Sequence, residues 1–511
     1  MMNDAQKSDL PIVAMKPVNK PGSTGAESVE PRGGAKGNTD ECCTTRTQSR
    51  TSVLQGLGRV RERAKANRKE RFTALLRHVD VDLLRRAYFW LKKDAAPGVD
   101  GMTWEEYGKD LESRLVDLHR RVHHGAYRAQ PSRRQFIPKA DGRQRPLGIA
   151  AVEDKIVQRA VVEVLNAIYE VDFVGFSYGF RPGRGQHDAL DALATGIIRT
   201  PVNWVIDADI RTFFDSVDHR WLMRFIEHRV ADVRLLRLIR KWLKAGVLQD
   251  GELLPTETGT SQGAVISPLL ANIYLHNVYD LWVERWRHRT ARGHVIVVRY
   301  ADDTVVGFQQ EADATRFLAE LRERLERFAL SLHPDKTRCI EFGRFAARDR
   351  RAKGLRRPET FNFLGFTHLC GRSRRDAFLL MRRSRRDRMR ATVRAVRMAL
   401  RRRINLSIPQ QGEWLQRLVR GYNAYHGVPT NGGSLQTFRQ YVIKAWLWTL
   451  RRRSQRHRIT WARMVRVVDR WLPPARILHP WPERRFAASY PRWEPGARIA
   501  PAGICAGGAQ Q

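Results

Sequence analysis

The apolar positions of this chain change period along its length, and the changes mark its elements. Glu153-Asp-Lys-Ile-Val-Gln-Arg-Ala-Val-Val-Glu-Val-Leu-Asn-Ala-Ile-Tyr169 carries its apolar residues at helical spacing. Val295-Ile-Val-Val298 and Thr304-Val-Val-Gly-Phe308 are short apolar, largely β-branched runs, and Tyr300-Ala-Asp-Asp303 lies between them. That arrangement predicts a tight β-hairpin whose tip presents two carboxylates. Helical stretches and short strands interleave from about residue 80 to 367, which predicts an α+β region. Residues 382–403 place Met389, Val393, Val396 and Leu400 on one face of a helix, with arginines around the rest. Further helices are predicted around Glu413–Tyr425 and Leu435–Leu450. A first helix is predicted from near Gly58, through Arg59-Val-Arg-Glu-Arg-Ala-Lys65 and past Phe72-Thr-Ala-Leu-Leu76.

The flanks lack such periodicity. Residues 1–58 are rich in Gly, Ser, Thr, Pro and Lys and predict disorder. Residues 471–511 are rich in Pro, Gly and Arg and predict an extended tail.

Charge narrows the partners. The 511 residues include 92 Lys plus Arg against 53 Asp plus Glu, a formal net charge of +39, with an isoelectric point near 11.0. Solubility does not require so much charge, so the expected partner is a polyanion. A membrane is not expected, because no apolar run approaches the roughly 20 residues of a spanning helix and no signal-peptide core opens the chain. The expected location is therefore cytoplasmic. The five cysteines, Cys42, Cys43, Cys339, Cys370 and Cys505, fit a reducing compartment and form no Cys-x-x-Cys pair, so structural zinc is not expected.

Hard divalent cations take oxygen ligands, and nucleotidyl transfer uses two of them to activate an attacking hydroxyl and stabilise a leaving pyrophosphate. The Asp302-Asp303 pair suits that task, although Asp-Asp in a turn is by itself usually a solvated corner. A third acid is needed. Trp204-Val-Ile-Asp-Ala-Asp209 offers Asp207 and Asp209 on one strand face, and either can reach the hairpin.

The ordered segments resemble the reverse transcriptases encoded by bacterial group II introns. The resemblance is carried by Ala96-Pro-Gly-Val-Asp-Gly-Met102, Ile137-Pro-Lys-Ala-Asp-Gly-Arg-Gln-Arg-Pro-Leu-Gly-Ile149 and Ser177-Tyr-Gly-Phe-Arg-Pro-Gly-Arg184. It continues through Asp209-Ile-Arg-Thr-Phe-Phe-Asp215, Gly259-Thr-Ser-Gln-Gly-Ala-Val-Ile-Ser-Pro-Leu-Leu-Ala-Asn-Ile-Tyr-Leu275, the Tyr-Ala-Asp-Asp turn, His333-Pro-Asp-Lys-Thr337 and Phe363-Leu-Gly-Phe366. It implies that Asp209, Asp302 and Asp303 are the catalytic acids and hold two Mg²⁺, with Asp207 in support or facing solvent. It further implies that Lys139 and Arg145, on a hairpin turned by Asp141-Gly142, hold a deoxynucleoside triphosphate. Gln262 would pack on nucleotide and template, Phe214 would exclude a 2′-hydroxyl, and Lys336 would bind or protonate pyrophosphate. A core aromatic is the alternative for Phe214. The family commonly has Pro-Gln-Gly-Gly where this chain has Ser261-Gln-Gly-Ala264.

The implied architecture is a right-hand polymerase with an N-terminal helical extension at 59–95 and fingers and palm over 96–367. An all-α basic thumb or maturase domain follows at 375–470, where Arg420-Gly-Tyr-Asn-Ala-Tyr-His-Gly427 resembles the maturase-specific region. The implied function is RNA-directed DNA synthesis together with intron splicing, on group II intron RNA, an RNA template and a DNA primer or target. A splicing-only RNA-binding protein and a reverse transcriptase adopted by its host for defence or repair remain alternatives. Arg382, Arg383, Arg385, Arg386, Arg401, Arg402 and Arg403 are the expected RNA-binding arginines. Beyond Arg485 stands one cysteine and no histidine, so no metal-dependent endonuclease domain is expected.

Overall fold

The computed structural model describes residues 55–138, 144–453 and 459–489. Its centre is the helix Val152–Asp172, whose Ile156, Val157, Ala160, Val161, Val164, Leu165 and Ile168 are buried. Each large apolar side chain so buried contributes about 1.5–3 kcal/mol.

The described residues form three sheets. β1 (Ser132–Pro138) and β2 (Gln144–Ile149) form the antiparallel hairpin that Asp141-Gly142 predicts, in register from Arg133 opposite Ile149 to Pro138 opposite Gln144. The turn itself lies outside the described residues. With β4 (Val247–Gln249) and β5 (Glu252–Leu254) it makes a sheet of order β2-β1-β4-β5. The second sheet holds β3 (Trp204–Asp209), β6 (Val295–Tyr300), β7 (Asp303–Phe308) and β8 (Arg338–Glu341) in the order β6-β7-β3-β8. All of its pairings are antiparallel. The third contains β9 (Phe361–Phe363), β10 (Phe366–Arg372) and β11 (Phe378–Ser384).

The second sheet is buried on both faces, which explains why its strands read as apolar runs rather than alternating ones. Ile206, Ala208, Val297 and Val306 pack toward the central helices. Val205, Ile296, Val298 and Val305 pack on the other side, with Leu190, Leu193 and Ile197 of the helix Gln186–Arg199 and with Phe366 and Leu380 of the third sheet. A third core belongs to the all-α region. There Val396, Leu400, Leu415, Val419, Phe438, Val442, Trp446 and Met464 gather from the helices Arg386–Arg402, Ile408–His426, Gly432–Arg451 and Trp461–Trp471. Among the described residues no helix is long and apolar enough to cross a membrane.

Three expectations need correction. The first helix covers 55–66 and stops before Phe72. Arg229 donates to the carbonyls of Ala64, Asn67 and Glu70 and so satisfies groups that a continuing helix would use itself. The helix carrying Met389 to Leu400 starts at Arg386, not Arg382, because Phe378–Ser384 pairs along its whole length with β10. The tail is not wholly extended. Pro482–Ser489 is a helix, and Phe486 is buried in the core beside Gln186–Arg199. Residues 1–54 and 490–511 lie outside the described residues.

Candidate active site

Backbone register brings two of the predicted acids together. Asp209, the last residue of β3, pairs with Asp303, the first of β7. Side chains directly opposite in an antiparallel pair share a face, with Cβ atoms about 4.5–5.5 Å apart. Asp302 follows Ala301 in the two-residue turn between Tyr300 and Asp303, which pair across the hairpin. Ala301 has φ +57°, a left-handed conformation costly to a residue with a Cβ, so the surroundings must impose it.

They do so through Arg299, which no motif in the sequence singles out. Its guanidinium is buried and donates to both carboxylate oxygens of Asp280 at 2.6 Å. It also donates to the Ala301 carbonyl at 2.9 Å, Asn272 Oδ1 at 3.2 Å and Ser177 Oγ at 2.7 Å. Asn272 in turn donates to the Gly179 carbonyl at 2.8 Å. Gly179 packs against the turn so closely that a Cβ there would sit 2.2 Å from the Ala301 nitrogen. Ser177 and Gly179 belong to the Ser-Tyr-Gly-Phe-Arg-Pro-Gly-Arg segment, whose residues 176–178 extend the sheet beside β6. The one available signal was an Arg adjoining the acidic turn. Its partner, on a helical segment at Asp280, is not evident from spacing.

The acids influence one another. Loss of hydration raises Asp303 to about 7, and repulsion from Asp302, Asp209 and Asp207 adds to it, although the residue remains open to solvent on one side. Asp302 is raised by burial and by Asp209, with Arg145 and Arg299 opposing. Asp207 shares the face of Asp209 and is raised to about 6, chiefly by burial. Lys336 donates to Asp209 Oδ2 at 2.5 Å, providing a countercharge. Among the described residues no three His, Cys, Asp or Glu side chains form a closed metal cage as they stand. The donor chemistry nevertheless fits hard cations, because every candidate ligand is a carboxylate oxygen.

Arg145 is exposed on β2, on the hairpin's return strand, near enough to stabilise the Asp302 carboxylate. Lys139 lies outside the described residues. Gln262 is half-buried in a loop held against β2, where its carbonyl accepts the Gly148 N–H at 2.8 Å. Gly263 has φ +121°, and a Cβ there would meet the Gly148 carbonyl oxygen at 2.7 Å, so this position requires glycine. Two phenylalanines divide the work after β3. Phe213 is buried in the core, while Phe214 is half-buried and meets the exposed Phe180 edge-on at 6.5 Å.

The predicted RNA-binding arginines separate. Arg383, Arg386, Arg401 and Arg402 are exposed. Arg385 is half-buried and pairs with Asp387 at 2.5 Å. Arg401 lies over Trp448 at 5.2 Å and Arg403 over Trp414 at 4.8 Å. Arg382 must be removed from the set: it is 2% exposed and bound to Asp191 at 3.0 Å, so it faces the interior.

Residues 137–368 match the reverse transcriptase (RNA-dependent DNA polymerase) family. Protein YkfC of Escherichia coli is 37% identical over 276 residues, 47% of this chain and 71% of that protein. The chain belongs to the reverse transcriptase family. The group II intron-encoded protein LtrA of Lactococcus lactis is 35% identical over 224 residues, 43% of this chain but 37% of LtrA. A Schizosaccharomyces pombe protein named for its place in the cob intron is 39% identical over 186 residues, 36% of this chain and 22% of that one. The chain thus spans much less than half of these two intron-encoded relatives. Family membership brings RNA-directed DNA polymerase chemistry and the use of divalent metal ions.

Proposed function

We propose that this chain is the reverse transcriptase and maturase of a group II intron, copying RNA into DNA and assisting the intron's splicing. The observation that carries the reading is the register of Asp209 against Asp303, beside Asp302 on a turn that buried side chains hold in a strained conformation. Asp209, Asp302 and Asp303 would hold two Mg²⁺, which when bound would activate the primer 3′-hydroxyl and stabilise the leaving pyrophosphate. Arg145, with Lys139, presents cationic donors to the triphosphate of the incoming nucleotide. Lys336 pairs with Asp209 in the resting chain and would bind or protonate the departing pyrophosphate. Gln262 supports the nucleotide and template from the loop on β2, and Phe214 occupies the space of a 2′-hydroxyl. The exposed arginines of the all-α region bind phosphates of intron RNA, in line with the excess of basic residues. A cytoplasmic location, beside its RNA, is part of the same reading.

The test is extension of a DNA primer on an RNA template by the purified chain. Incorporation of deoxynucleotides in Mg²⁺ that stops on chelation is the expected result. Stable binding of the primer-template without incorporation at any divalent ion concentration would contradict the polymerase role.

A further inference from the structure

Asp191 joins three parts of the molecule at one buried carboxylate. It lies on the helix Gln186–Arg199, which packs under β6, the strand leading into the acidic turn. One oxygen accepts from Arg382 of β11 at 3.0 Å, and the other from Arg485 of the tail helix Pro482–Ser489. Both Asp191 and Arg382 are almost wholly buried. The same tail segment also holds the all-α region. The Leu478 and His479 N–H groups donate to the Gly427 carbonyl at 2.8 and 2.9 Å. Arg485 donates to His479 Nδ1 at 2.6 Å, and since Arg cannot accept, His479 must carry its proton on Nε2, which donates to the Ala424 carbonyl at 2.6 Å. Glu483 reaches Arg199 at 3.5 Å, and Phe486 seals the contact in the core.

Residues 478–486 therefore run from the end of the helix Ile408–His426 to the helix beneath the catalytic strand. What they fix is placed to matter. β11 leads directly into the helix Arg386–Arg402, and Arg385 and Arg388 at its start are near enough to act on Asp207 and Asp303.

We propose that residues 478–486 are a strap fixing the all-α thumb to the palm, with Asp191 as its positioning residue, and that the strap governs how far a primer is extended per binding event. A thumb free to swing releases the duplex sooner, while the palm residues still add a nucleotide once the duplex is seated. The inference rests on the polymerase reading above.

The informative variant is Arg485→Gln, because Asp191 keeps Arg382 as a partner and no unpaired charge is buried. Arg484→Gln, on the exposed side of the same helix, removes an equal charge without touching Asp191. In extension on a long RNA template with a trap for released enzyme, Arg485→Gln should raise termination per nucleotide about tenfold, equivalent to 1.4 kcal/mol. Addition of the first nucleotide should be unchanged, and Arg484→Gln should behave as wild type. Wild-type product lengths in Arg485→Gln, an equal loss of first-nucleotide addition, or the same defect in Arg484→Gln would each overturn the strap. Should the wild type add no nucleotide, the polymerase reading fails, and amide exchange reads the strap by itself. Loss of protection over 378–384 in Arg485→Gln alone supports it, and unchanged protection overturns it.

Discussion

At the scale of single residues, the acidic turn depends on a side chain that performs no chemistry. Arg299 neutralises the buried Asp280 and pins the Ala301 carbonyl, so Arg299→Met would leave the Asp280 carboxylate buried without its guanidinium. The expected cost is about 3–5 kcal/mol, measured by denaturant unfolding. A loss below about 1 kcal/mol would mean that the pair does not hold the turn. Phe214 is tested through its sugar selectivity. If its ring fills the space of a 2′-hydroxyl, Phe214→Val should raise ribonucleotide over deoxyribonucleotide incorporation by about tenfold or more. Unchanged selectivity in an active variant would return the ring to core packing beside Phe213. The three acids could be read from the sequence because one short hairpin and one strand carry them. Arg299 and Arg382 could not, because a run of arginines does not reveal which of them meets a buried Asp280 or Asp191 from a distant segment.

At the scale of elements, periodicity located the hairpin and the long helices, and failed where a tertiary contact ended an element. Arg229 caps 55–66, and pairing with β10 keeps 378–384 a strand despite its arginines. Arg382, buried against Asp191, is therefore no probe of RNA binding. Replacing the exposed Arg383 and Arg386 by Gln should reduce the log-log slope of RNA binding against salt by somewhat under one unit per lost phosphate contact. An identical slope would place the RNA footprint elsewhere. Near the fingers, Asp154 of Val152–Asp172 ties down the preceding segment by accepting from the Tyr127 hydroxyl and from the Gln130 N–H at 3.1 Å. Burial raises its carboxyl from 3.8 to about 6, so the folded chain holds this proton more tightly than the unfolded one. That stability is full below pH 4 and is lost as pH rises through about 6. Asp154→Asn does not ionise, and should gain on wild type between pH 4 and 8 by on the order of 3 kcal/mol in unfolding free energy. A difference between the two that does not change with pH would refute this assignment.

At the scale of the whole molecule, three cores define an α+β body and an all-α region, and a net charge of +39 overlies both. The class of fold was legible because strand runs and helical periods are local. The joining of the regions through Asp191 and the tail was not, since it rests on pairs between distant residues. On the proposed function, chemistry would be concentrated at one turn, while RNA binding would be spread over exposed arginines. Asp302→Ala probes that separation when primer extension on an RNA template and equilibrium binding of intron RNA are measured on the same folded protein. Extension should fall by more than about a hundredfold, the least expected on losing a metal ligand, with RNA affinity within about twofold of wild type. Extension within tenfold of wild type, or loss of RNA binding in step with extension, would contradict the account.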